Sequence, residues 1–157
     1  MNAEPILHLP GNLTLWCVAT AWMTAQFTKF FAALARERRI DVAYFVSTGG
    51  MPSAHSASVS ALAFSAGFAE GFGSTFFAIA LVVALVVMFD AQSVRRAAGH
   101  QAALLNQMIA ELFQHRSFPH GKLKELLGHT PLEVFAGLTV GGSVAFALHV
   151  LAGGLVL

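Results

Sequence analysis

His129 and Glu133 stand four residues apart, on either side of Thr130-Pro131. At that helical spacing a carboxylate can orient an imidazole and stabilise its cationic form, as a nucleophilic histidine requires. The same segment, Thr130-Pro131-Leu132-Glu133, also reads as a capping box, with Thr130 as N-cap and Glu133 three residues on. Capping accounts for Thr130 and Glu133 and leaves His129 unexplained. A second group opens on Gly49-Gly50-Met51-Pro52, followed by Ser53 and His55. A helix mouth presents unpaired N–H groups and a partial positive charge, so Ser53 can offer its hydroxyl and N–H to an anion. His55 can give or take a proton near neutral pH; the plain alternative is a polar helix start. Lys29 and Arg36 are seven residues apart, two helical turns, and share a face. They suit a phosphate, or they anchor the chain at a membrane boundary. The reading they share is an anion site, for a phosphate or a carboxylate, at a membrane surface.

The elements that must position these groups are apolar. Hydrophobic residues make up 56% of the 157-residue chain and charged residues only 11%, with 14 phenylalanines. An ordinary soluble domain carries about 25% charged residues. Uncharged stretches cover residues 5–28, 42–69, 71–89 and 134–157, each near or above the roughly 18 to 20 apolar residues that cross a bilayer. The sequence thus predicts an all-α polytopic membrane bundle in one domain. About four transmembrane helices are expected, over about residues 12–36, 52–68, 74–92 and 131–155. A cytoplasmic segment would cover about 93–129, with an amphipathic helix near 97–113 carrying Leu104, Leu105, Met108, Ile109 and Leu112. Residues 41–48 read as a re-entrant or interfacial piece. Helix two is rich in small residues suited to close packing in lipid. Helix four is expected to be broken up by Gly137, Gly141-Gly142 and Gly153-Gly154.

All nine Lys and Arg residues fall within 29–39 and 95–124. Short basic loops stay in the cytoplasm, so both termini are expected outside, in a bacterial inner membrane. The N-terminal apolar run, lacking a basic leader, reads as a first membrane helix rather than a removable signal. This topology gathers Lys29/Arg36, Pro52–His55, Asp90/Arg95/Arg96 and His129/Glu133 at the cytoplasmic face. Arg95 and Arg96 either add cations to the pocket or anchor topology. Asp90 either pairs with one of them or holds a divalent cation. Cys17 is expected to be a small core or lipid-facing residue. His8 and His149 belong to the outer side with no expected part, and His100, His115 and His120 to the solvated segment.

Lys29-x6-Arg36, Pro52-Ser53-Ala54-His55 and Gly128-His129-Thr130-Pro131-Leu132-Glu133 together resemble the three signature blocks of the type 2 phosphatidic acid phosphatases. With Gly-Gly-Met-Pro-Ser-x-His-Ser and Asp90-Ala-x-x-Val-Arg-Arg, the chain is most similar to the divergent PAP2 subgroup (DUF212). The resemblance implies that His129 attacks phosphorus, Glu133 orients it and His55 protonates the leaving alkoxide. Lys29, Arg36 and Ser53 would hold phosphate oxygens. The chain departs from the pattern with Glu37 for Pro, Ala54 for Gly and Glu133 for Asp. The Arg expected before the third-block histidine is missing, a place that Lys124 or Arg95 and Arg96 could fill.

The function expected is a lipid-phosphate phosphatase or phosphotransferase at the cytoplasmic leaflet. Its substrate would be a prenyl phosphate, phosphatidic acid or phosphatidylglycerophosphate. The alternative is a non-catalytic lipid-phosphate binder or transporter on the same scaffold, or a helical subunit docking a partner. No cofactor is required where basic residues stabilise the developing charge, although Asp90 leaves room for Mg²⁺. Lipids and a second copy in a homodimer are the expected partners; nucleic acid is not.

Overall fold

Hydroxyl side chains start three of the helices. In the computed structural model, which describes residues 11–37, 50–112 and 128–153, Ser53 caps the helix Ala54–Glu70 by accepting the Ser56 N–H (3.3 Å). Ser74 does the same for Thr75–Gln92 through Phe77 (3.2 Å), and Thr130 for Pro131–Ala152 through Glu133 (3.3 Å). Each satisfies an N–H that helix geometry leaves without a partner. Gly71 and Gly153 close the second and last of the helices at φ 86° and 64°, a left-handed backbone that glycine adopts without strain. In chain order the described residues form α1 (Leu13–Glu37), α2 (Ala54–Glu70), α3 (Thr75–Gln92), α4 (Val94–Leu112) and α5 (Pro131–Ala152). They are all-α, as expected from the sequence. The Thr130→Ala variant is expected to lose about 1 kcal/mol, read as a lowered thermal unfolding midpoint in detergent.

The short helix α2 is the centre of the bundle, packed on α1, α3 and, most extensively, α5. Its buried residues are alanines, serines and a glycine: Ala54, Ser56, Ala57, Ser60, Ala61, Ala63, Ser65, Ala66 and Gly67. Small side chains let neighbouring backbones close in, and dispersion over that short distance then holds the helices together. The seam with α5 shows the limit. A Cβ on Gly137 would collide with the Ser53 carbonyl and Ser56 Cβ, and one on Gly141 with Ser60 Oγ and the Ala57 carbonyl. The glycines therefore do not break α5, which runs uninterrupted through both; they are where α2 enters its surface.

Bulky apolar groups lie on the outside. Trp16, Trp22, Phe27 and Phe31 of α1, Phe76, Val82, Val86 and Phe89 of α3, and Phe135, Phe146 and Leu151 of α5 are all exposed. This inversion of a water-soluble protein suits lipid as the solvent. Among the described residues two helical stretches are long and apolar enough to cross a membrane: Thr75–Leu112, which is α3 continuing into α4, and α5. Only 22% and 28% of their apolar windows are buried, unlike the core helix of a soluble protein. α1 and α2 lie where the other two spans are expected but do not reach that standard. α2 has only 17 residues, roughly 26 Å at 1.5 Å per residue. α1 carries four threonines, Gln26 and Lys29. Thr24 and Thr28 donate to the carbonyls one turn back (2.8 and 2.7 Å), which satisfies both hydroxyls within the helix. α4 is amphipathic as expected, with Leu104, Leu105, Met108 and Leu112 exposed. Residues 41–48 lie outside the described residues.

Candidate active site at one end of the bundle

α2 and α5 run in one direction and α1 and α3 in the other, and hydrogen bonds between elements identify the ends that meet. The Ser53 N–H donates to the Glu133 carbonyl (3.0 Å), joining the starts of α2 and α5. The His129 N–H donates to the Ala91 carbonyl (3.0 Å), joining the start of α5 to the end of α3. Gly128 rests on the Arg96 backbone so closely that any Cβ would strike it. From α1, the buried Lys29 acts electrostatically on Glu133. At the opposite end Ser65 Oγ donates to Thr14 Oγ1 (2.9 Å) and lies 2.9 Å from His149 Nε2, tying α1, α2 and α5. His149 is 1% exposed and Cys17 fully buried, so His149 holds the far end together rather than standing idle.

At the first end, His129 is 2% exposed and its Nδ1 lies 2.9 Å from Glu133 Oε2. The same oxygen accepts the Thr130 N–H at 3.1 Å, completing the capping box. The cap and the orienting carboxylate, alternatives in the sequence, are one group. A carboxylate facing Nδ1 selects the tautomer with hydrogen on that nitrogen, leaving a lone pair on Nε2. Nε2 is buried and has no hydrogen-bond partner. Lys29 is 5% exposed, and Glu133 is the carboxylate that acts on it electrostatically, offsetting part of the cost of its burial. The arrangement is a fixed imidazole with a free nucleophilic nitrogen, backed by a carboxylate and a cation.

A family model for the divergent PAP2 family (DUF212) matches residues 11–144, which include all three blocks. The chain belongs to the divergent PAP2 family. This divergent PAP2 protein is also 38% identical over 146 residues to the uncharacterized membrane protein YuiD of Bacillus subtilis (strain 168), an alignment covering 86% of this chain and 92% of that one. No solved structure matches it.

Other candidates of this divergent PAP2 chain are placed less uniformly. Ser53 is fully buried, but its N–H is committed to the Glu133 carbonyl, so the expected backbone contact with phosphate is replaced by a helix–helix bond. Its Oγ accepts the Ser56 N–H and keeps its own hydrogen to donate. His55 is half-buried in the first turn of α2, at the same end as His129. Arg36 and Arg95 lie on α1 and α4, with their side chains outside the described residues. The Arg96 side chain is exposed although its backbone touches Gly128. Asp90 is half-buried beside Ala91, and among the described residues no group of three His, Cys, Asp or Glu could hold a metal ion. Lys124 lies outside the described residues.

Two contributors have no role assigned from the sequence. The Ala91 carbonyl positions the His129 backbone, and no side-chain pattern reveals a main-chain acceptor. Ser56, fully buried with an unpartnered Oγ, follows directly on the Pro-Ser-Ala-His block. It closes the Gly-Gly-Met-Pro-Ser-x-His-Ser stretch, where its spacing assigns it no role of its own.

Proposed function

We propose that this protein is an integral membrane phosphatase or phosphotransferase acting on a phosphomonoester or diphosphate of a lipid. The observation that carries this reading is His129, held at Nδ1 by Glu133 and unpartnered at Nε2. Nε2 attacks phosphorus, forming an N–P bond as the bond to the leaving oxygen breaks. His55 protonates that oxygen. Water then attacks phosphorus, returns its proton to His55 and releases phosphate from His129. Lys29, Arg36, Arg95 and Arg96 supply positive charge at this end for the developing phosphorane, with Ser53 Oγ as a further donor. The distribution of basic residues supports a cytoplasmic-leaflet position for this end, with α1, α2, α3 and α5 as the proposed spans. The membrane location is supported by the apolar outer surface and by the name of the Bacillus relative.

One observation favours binding without turnover: His129 is closed to solvent. Inorganic phosphate release from a panel of lipid phosphates in detergent, with Mg²⁺ or with EDTA, separates the two readings. Release retained in EDTA is expected. Tight binding with no release from any substrate overturns the catalytic reading. The Glu133→Gln variant keeps a cap acceptor but loses the charge facing Lys29 and the tautomer control. Its turnover is expected to fall on the order of 10²- to 10⁴-fold, and an unchanged rate removes Glu133 from the mechanism.

A further inference from the structure

A cleft of about 180 Å³ lies between α3 and the start of α5, lined by Leu85, Met88, Phe89, Gln92 and Val134. Its inner wall is buried, with Met88 9% and Val134 5% exposed, and its rim is open, with Leu85 at 46% and Phe89 at 70%. It therefore opens sideways, through the apolar outer face of α3. Gln92 lies seven residues beyond Leu85, roughly 10 Å along the helix axis. The end at Gln92 adjoins the candidate site. Gln92 follows Ala91, whose carbonyl holds the His129 backbone, and Val134 follows Glu133.

We propose that this cleft seats the first segment of a single hydrocarbon tail, and that the substrate is a prenyl or alkyl phosphate whose tail begins directly at the phosphate ester oxygen. The inference rests on the lipid-phosphate reading above and narrows it. An apolar cavity of about 150 Å³ holds one benzene-sized guest, so the cleft takes part of one chain and not two. The chemistry of the wall disfavours a glycerolipid more directly. A diacylglycerol places two ester groups next to the phosphate, where four of the five lining side chains are apolar. Among the lining side chains Gln92 alone can donate to them, so two ester carbonyls would be buried with one amide to serve both. A hydrocarbon that starts at the phosphate meets no such penalty. Its remaining length leaves past Leu85 and Phe89 into lipid.

The test measures equilibrium binding of farnesyl phosphate, dioleoyl phosphatidic acid and inorganic phosphate to the full-length protein in detergent. The variants are Leu85→Trp, which fills the rim, and Val82→Trp, an exposed site on α3 outside the cleft. Farnesyl phosphate is expected to bind about tenfold more tightly than phosphatidic acid, and Leu85→Trp to weaken it about tenfold, as when two buried methylenes are displaced. Val82→Trp is expected to match the wild type, and inorganic phosphate to bind all three proteins alike. Equal affinity for the two lipids overturns the single-tail assignment. Unchanged farnesyl phosphate binding in Leu85→Trp, or no binding to the wild type, overturns the cleft. Cleft-dependent binding without phosphate release would sink only the catalytic reading and leave the tail site standing.

Discussion

The His129→Ala variant is expected to lose phosphate release by on the order of 10³-fold or more, while remaining folded. The two halves of that expectation have separate physical grounds. The imidazole makes one side-chain hydrogen bond, to Glu133, and its Nε2 makes none. The contact that docks this segment on α3 is the main-chain N–H to the Ala91 carbonyl, which alanine retains. Glu133 would still accept the Thr130 N–H and face Lys29. Losing one hydrogen bond in a buried site costs about 1–3 kcal/mol, within reach of a bundle that keeps its other contacts. The wild type incubated with a phosphorus-labelled lipid phosphate is expected to trap an acid-labile phosphoenzyme, absent from His129→Ala. The His55→Ala variant sharpens the comparison. In the proposed role of proton donor to the leaving group, His55 would matter for an alkoxide and little for a nitrophenolate, which departs without protonation. His55→Ala is therefore expected to recover with p-nitrophenyl phosphate, and His129→Ala is not. Equal loss on both substrates in both variants would contradict the division of roles.

The sequence disclosed the candidate site more fully than the packing around it. Residue types carry chemistry, so His129, Glu133, Ser53, His55 and Lys29 could be named from spacing alone. Charge distribution then required their helix ends to meet, as the bonds from Ser53 to Glu133 and from His129 to Ala91 show they do. What spacing could not tell is how each group is used. Ser53 looked like an anion donor because a helix mouth has free N–H groups, but a neighbouring carbonyl competes for that N–H. The Gly137 and Gly141 positions looked like breaks because glycine weakens an isolated helix. In a lipid-type bundle the same residue admits a neighbouring backbone, a benefit that appears only when the partner helix is in place. The polarity of α1 and α2 has two sources: Gln26, Ser56, Ser60 and Ser65 are buried in a small-residue interior, whereas Thr20, Thr24 and Thr28 lie exposed on α1. His149 was set aside because its side of the membrane carried no chemistry. Its role there is structural, through Ser65.

Packing sets the other large effect. The Gly141→Ala variant is expected to be destabilised by about 1–3 kcal/mol, the usual range for an overpacked core, and Gly141→Leu to prevent assembly of the bundle. The added Cβ of alanine would strike Ser60 Oγ and the Ala57 carbonyl, and the latter is backbone that no rotamer change can clear. α2 and α5 must then separate. Gly142→Ala supplies the control one residue away. Its Cβ would meet the Phe64 ring at 3.1 and 3.2 Å, and a ring can tilt where a carbonyl in a helix cannot. Gly142→Ala should unfold within about 1 kcal/mol of the wild type, since alanine also favours helix over glycine by about that amount. Thermal unfolding in detergent reads both. Similar midpoints for the two variants would mean that α2 and α5 are not in backbone contact at Gly141. The separation also reaches the site, because the Ser53 N–H to Glu133 carbonyl bond spans the same two helices. At Gly137, one turn nearer that bond, an added methyl would press on the Ser53 carbonyl itself. Gly137→Ala is accordingly expected to lose activity at temperatures where it is still folded, since displacing Ser53 from Glu133 shifts the carboxylate on which the orientation of His129 depends.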